Sequence, residues 1–441
     1  MRDILVTAIV FGLLPLILWR PWIGILAWSW LSYMNPHRQT WGFAYDMPFA
    51  MIVGATLLVA MVISKEKYRL HWNGTLALWL CFLAWMSLST FLAIYPDRAM
   101  TLYDTVIKIQ IMTLVTLMLI TDMSKVRALI WVIVGSIGFY SVKGGLFTLM
   151  TGGAFRVYGP ADSNISENNA MALATLIVIP LMVYLYRLHH NNRWLRWMLG
   201  ASILLSAVSV FGSQSRGALI AIAVVAGFFW LKSHNKLVTG TGIVFLAVLT
   251  FGFMPASWHE RMATITNYEE DASAMSRINA WIYSINIASD RPTGGGFNSW
   301  SADTYAVYSP ESRTTNIVAH SIYFSVLADH GWPGLIMYLA LLFIAWRNLS
   351  RVIKQTRYSE AESESESESG FRPALLARML QVSLVAYLSG GAFLSLAYFD
   401  LPWHILVISI LLGTLYASEP AVKPAITRHH PRGEPVRYGH E

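Results

Sequence analysis

Charged side chains are scarce in this sequence. Asp, Glu, Lys and Arg make up 13% of its 441 residues, about half the roughly 25% usual for a soluble globular chain. Cysteine is scarcer still: the single Cys81 lies inside an apolar run, which excludes a disulfide within the chain and Cys-based zinc spacing. There is no Walker A lysine loop and no Gly-x-Ser-x-Gly nucleophile elbow. The opening run ends in Leu18-Trp19-Arg20-Pro21 without a small-residue cleavage site, so it is expected to be a retained span rather than a signal peptide.

Apolar residues fill the space that charge leaves. They make up 55% of the chain and gather into runs near the roughly 20 residues needed to cross a bilayer. The runs are 4–19, 47–64, 74–94, 103–120, 127–150, 168–187, 195–212, 216–232, 237–254, 317–346, 377–397 and 403–417. Tryptophans at run ends (Trp19, Trp22, Trp72, Trp131, Trp194, Trp346, Trp403) suit an aromatic belt. The net charge of +7 comes from Lys and Arg in short loops. That pattern signals topology rather than a nucleic-acid surface. The fold class expected is an all-α integral membrane protein of about twelve transmembrane helices.

Basic clusters after alternate runs include Lys65, Lys67 and Arg69, Lys125 and Arg127, and Arg347 to Arg357. Placing them in the cytoplasm predicts both termini inside. The half-apolar segment 20–46 then becomes an interfacial or re-entrant element on the outer side. The organisation expected is nine spans over 1–254, an outer helical subdomain at 255–316, and a tenth span with its re-entry segment at 317–346. A cytoplasmic linker at 347–376, two spans at 377–417 and a cytoplasmic tail at 418–441 follow. Glu-Ser alternation over 359–369 predicts disorder in the linker.

Against this apolar background, five polar residues fall on the outer side, and a sixth, Lys143, lies within a span. Arg156 follows span five in Gly152-Gly153-Ala154-Phe155-Arg156, and Arg216 sits in the turn Ser213-Gln214-Ser215-Arg216-Gly217. Arg277 lies in the long outer loop, His320 where that loop re-enters the membrane, and Asp400 in the last outer turn. Lys143 lies within span five, roughly 12 Å from its outer end. Ionisable residues within or beside spans are rare and usually serve a partner or pathway. Ordinary roles stay open for each: snorkelling for Arg216 and Lys143, loop contacts for Arg156 and Arg277, an interface hydrogen bond for His320, and a helix cap for Asp400. Asp329 and His330 read as a helix end before Gly331 and Pro333. Glu269, Glu270 and Asp271 read as solvated loop.

Several guanidinium groups and a histidine at a membrane surface suit a lipid-linked diphosphate. Arginine pairs phosphate oxygens bidentately, and a neutral imidazole accepts a hydroxyl proton near pH 7. A D-x-D acidic pair is missing from the first outer loop, where Asp46 stands alone.

The same residues carry a family resemblance. Ser213-Gln214-Ser215-Arg216-Gly217 comes first. Arg277 and Trp281 before Pro292-Thr293-Gly294-Gly295-Gly296-Phe297 come next, then the run from His320 through Asp329, Gly331 and Gly334. In that order they resemble the O-antigen ligase and O-antigen polymerase superfamily of bacterial envelope proteins. The opening through Asn35-Pro36-His37-Arg38 and Trp41 is similar to the branch of O-glycosylation ligases associated with exosortase systems. The resemblance implies a GT-C-like fold in the bacterial inner membrane with its site facing the periplasm. It implies inverting glycosyl transfer without metal or other cofactor. The donor would be a glycan on undecaprenyl diphosphate, and the acceptor a hydroxyl of lipid A-core. His320 matches the essential histidine, and Arg216 and Arg277 the donor-binding arginines, with Arg156 and Lys143 as further diphosphate contacts and Asp400 in support. A polymerase, a protein O-oligosaccharyltransferase, and a lipid-linked sugar transporter of a different class are the alternatives.

Overall fold

The computed structural model describes residues 1–64, 68, 70, 72–233, 235–263, 272–312, 318–362, 372–394 and 396–416, with side chains left out at 272, 273 and 357–362. Lys65, Lys67, Arg69, the triplet Glu269 to Asp271 and the tail therefore lie outside the described residues. The chain is all-helical there. In order come α1 (Arg2–Trp19), α2 (Trp22–Met34), α3 (Phe49–Ile63), α4 (Gly74–Phe91), α5 (Pro96–Leu119) and α6 (Met123–Met150). Then follow α7 (Asn168–Leu188), α8 (Arg193–Gly212), α9 (Arg216–Lys232), α10 (Lys236–Phe253), α11 (Ala256–Ala263) and α12 (Ala272–Asp290). The last are α13 (Ala302–Tyr308), α14 (Ile322–Glu362), α15 (Pro373–Gly391) and α16 (Asp400–Tyr416).

Each of the twelve apolar runs contains a helix among the described residues. Nine of the described helices are long and apolar enough to cross a membrane, and α3 and α16 are shorter apolar helices. Asn73, Asp122, Asn192, Ser215 and Asn235 cap the starts of α4, α6, α8, α9 and α10 through their side-chain oxygens, satisfying amides that a helix start leaves unpaired. α7 and α15 form the buried centre, while α10 packs beside α9 with none of its residues buried. Small residues set the tightest pairing, α6 against α8. Ser141 and Ser206 share a hydrogen bond at 2.7 Å, and a Cβ on Gly145 would lie 2.0 Å from the carbonyl oxygen of Leu205. Trp403 is no belt residue: it is 3% exposed and stacks on Trp79 at 5.9 Å.

The path of the first 46 residues corrects the expected topology. Asp3 accepts the amides of Gly42 and Ala44 at 3.0 and 3.1 Å. The neighbouring segment is tied by Arg38 and Tyr45 to Asp162, in the connection between α6 and α7. The start of α1 therefore lies at that end of the bundle, whereas Trp22 lies beside Lys125 at the opposite end. α2 runs back alongside α6, and the Tyr140 hydroxyl donates to the Met34 carbonyl at 2.6 Å. Segment 20–46 thus includes a helix packed within the bundle, and α1 starts at the end where α6 joins α7 rather than at the Lys125 end. Counting misses α2 because its 13 residues extend only about 20 Å, and α3 and α6 supply the burial that lipid would not.

One further boundary differs: α14 continues to Glu362, so the first half of the expected 347–376 linker is helix. Asp329 and His330 stand at a helix end, as the sequence suggests: α14 is two helices broken at Gly331 (φ 66, ψ −173), and Pro333 supplies no amide to the preceding turn.

Candidate functional site

The kink in α14 frees carbonyl groups, and the glycine-rich segment answers them. Gly295 donates its amide to the Ala328 carbonyl at 2.8 Å, and Gly296 to the Asp329 carbonyl at 3.1 Å. Gly294 and Gly331 both hold positive φ. A Cβ on Gly331 would lie 2.0 Å from the Pro292 carbonyl oxygen. The segment is therefore a plug for a broken helix rather than a phosphate cradle. Arg291 and the Gly295 carbonyl tie it to Leu92 and Ile94 at the start of the connection to α5.

Arg216 opens α9 because Ser215 caps it, accepting the Ala218 amide at 3.2 Å. The turn before it is held from three sides. Asn168 of α7 donates to the Ser213 carbonyl at 2.8 Å, Gln214 donates to the Gly153 carbonyl at 3.0 Å, and Arg261 of α11 donates to the Gln214 carbonyl at 3.0 Å. Gly217 abuts Phe393: a Cβ there would lie 2.9 Å from the Phe393 Cβ. Two residues back along the chain, Gly391 abuts Ile322, the first residue of α14, with a separation of 2.6 Å on the same measure. His320 and Arg216 are thereby carried to one end of the bundle by a short chain of packed residues.

Arg277 reaches the same place from α12. Trp281, one turn later, donates its indole N–H to the Ala319 carbonyl at 2.9 Å and stacks on Phe324 at 4.9 Å. His320 is half-buried and held at φ 44, an uncommon backbone state for a residue with a Cβ. Burial first, and then the Arg277 charge, lower its pKa below the ordinary value of 6.5, while the Glu167 carboxylate opposes them. The imidazole is therefore neutral at pH 7 and able to accept a proton. Sequence reasoning misses Glu167; its place before Asn168 at the start of α7 gives no signal of its nearness to a loop 153 residues away.

The other candidates separate. Arg156 is exposed and lines an open cleft of about 680 Å³ with Phe155, Tyr158, Gln214, Ser257 and Arg261, next to the Arg216 turn. Lys143 stands apart on an exposed face of α6 with Leu146, Phe147 and Met150. Asp400 is 1% exposed and faces Ser32 and Tyr33 of α2. The Tyr33 hydroxyl and His404 Nδ1 share a 2.6 Å hydrogen bond one turn below it. Asp400 thus belongs to a buried cluster between α2 and α16.

Comparison with known families divides the chain. Residues 1–190 match the model described as a family of unknown function (DUF5935). No curated protein matches the chain. Residues 201–339 match the model described as O-Antigen ligase, and they contain Arg216, Arg277, His320 and the Gly331 kink. The second half of this multi-span helical protein carries an O-antigen ligase domain of glycosyltransferase type.

Proposed function

We propose that the protein transfers a glycan from undecaprenyl diphosphate to a hydroxyl of lipid A-core at the periplasmic face of the bacterial inner membrane. The single observation that carries this reading is the coupling of His320 to Arg277 at the end of the bundle where Arg216 also lies. Arg216 and Arg277, with Arg156 at the neighbouring cleft, hold the diphosphate and stabilise the charge that develops as it leaves. The His320 imidazole takes the proton of the acceptor hydroxyl as its oxygen attacks the anomeric carbon. The bond from that carbon to the diphosphate oxygen breaks on the opposite face, the electron pair leaves with undecaprenyl diphosphate, and the anomeric configuration inverts. The leaving group is already activated, so the arginines supply the positive charge that a metal supplies elsewhere.

The test is reconstitution of purified protein with a lipid-linked glycan and lipid A-core. A glycosylated lipid A-core of inverted anomeric configuration, with release of undecaprenyl diphosphate, is the expected product. An elongated lipid-linked glycan would instead identify a polymerase, and glycan movement without bond exchange a transporter.

A further inference from the structure

Asp329 has no part in the reaction above, yet its setting is costly. It lies about 10 Å along α14 from the helix start and is 4% exposed. One carboxylate oxygen, Oδ2, accepts the Tyr398 hydroxyl at 2.9 Å. The other, Oδ1, is buried and accepts no hydrogen bond among the described residues. A buried carboxylate left half-satisfied is unfavourable, and within a membrane helix such a group points to a ligand or pathway.

Asp329 lines a cavity of about 180 Å³, together with Asn164, Asn298, Trp300, Ser325 and Tyr398. Amide, hydroxyl and carboxylate groups around aromatic rings form the donor and acceptor set that a sugar requires. Its hydroxyls both donate and accept, and its C–H faces pack on rings. Val318, two residues before His320, also lines the cavity, and Asn164 belongs to the connection that ends at Glu167. Neither Arg216 nor Arg277 lines it. An inverting attack brings the acceptor hydroxyl to the face opposite the diphosphate, so a cavity that the loop before His320 helps to line and that neither arginine enters lies on the acceptor side.

We infer that this cavity receives one sugar ring of the accepting glycan, with the Asp329 carboxyl oxygen Oδ1 accepting a hydrogen bond from a sugar hydroxyl. The inference rests on the glycosyl-transfer reading, but binding can be measured without transfer. The probes are methyl β-D-glucopyranoside and methyl β-D-galactopyranoside, observed by saturation-transfer NMR on the full chain in amphipol, which carries no sugar headgroup. At least one should bind. Asp329→Asn keeps an acceptor for Tyr398 while replacing the second carboxyl oxygen with an amide group, and should weaken binding roughly tenfold or more. Asn164→Ala and Asn298→Ala, at exposed positions, should weaken it as well and carry the test if Asp329→Asn does not fold. Wild-type protein that binds neither sugar, or variants that bind like wild type, would overturn the inference. Asp329-dependent binding in a protein that transfers to no acceptor would leave the subsite standing and sink the transfer reading. Transfer with an unchanged acceptor KM in Asp329→Asn would do the reverse.

Discussion

Trp281 donates its indole N–H to the carbonyl of Ala319 at 2.9 Å, and this bond joins α12 to the residue before His320. Arg277 lies one helical turn before Trp281 on α12, so the two residues move as a unit. The bond sets how strongly the guanidinium acts on the imidazole. Trp281→Phe should keep the stack on Phe324 and lose the bond. Transfer should fall several-fold, and the acid limb of its pH profile should rise as Arg277 decouples from His320. An unshifted acid limb with reduced rate would mean that Trp281 only stabilises the fold.

His320→Ala should abolish the general-base contribution, on the order of 10²–10⁴-fold in rate, while donor affinity stays within error in a lipid-linked glycan binding assay. The base must be neutral, so the wild-type rate should rise with pH through a value below 6.5 and be flat at neutral pH. Arg277 lowers the His320 pKa and Glu167 raises it. Arg277→Gln should therefore shift the acid limb upward and Glu167→Gln shift it downward. Shifts of the opposite sign would dismiss this electrostatic arrangement.

Arg216→Ala should weaken donor binding by roughly one to two decades, the usual cost of one charge-assisted contact. Arg216→Lys should recover only part, since an ammonium lacks two parallel donors. Full activity in excess EDTA is expected with both arginines present. EDTA-sensitive transfer restored by Mg²⁺ or Mn²⁺ would argue that a metal, not arginine alone, meets the diphosphate.

Gly296 holds φ 76, and a Cβ there would lie 2.3 Å from the Ala93 Cβ. Gly296→Ala should therefore lower thermal stability by about 1–3 kcal/mol from backbone strain, with the steric contact adding to that. The expected readout is a depressed Tm, with transfer lost in parallel because the plug under the Gly331 kink loosens. A variant as stable as wild type would show that the segment tolerates a Cβ and that the plug is dispensable.

Cysteine labelling can check the revised path of the chain. In a Cys81→Ser background, cysteines at Arg2 and Asp303 should react together with a membrane-impermeant reagent in intact cells. Cysteines at Arg20, Asn192 and Lys236 should react only after permeabilisation. Protection of position 2 with reaction at position 20 would restore the expected placement of the first helices.

Much of this protein is a local property of its sequence. Long apolar runs exclude most alternatives to membrane-spanning helices, and each of the twelve runs contains a helix among the described residues. The rare polar residues were also legible, because a charge in an apolar chain is conspicuous wherever it falls. What the residues touch was not legible. Trp22–Met34 is too short to read as a crossing, and its place beside α6 depends on burial supplied by distant helices. Asp329 and His330 do end a helix before Gly331 and Pro333, but nothing local shows that a second helix resumes directly after the break. The chain resumes only because Gly295 and Gly296, remote in sequence, donate to the freed carbonyls. Lys143 and Arg277 were equally conspicuous as charges, yet α6 turns one toward its exposed face while Trp281 draws the other to His320. Hydrophobic runs decide which segments become helices. Packing between segments far apart in the chain decides which polar groups meet.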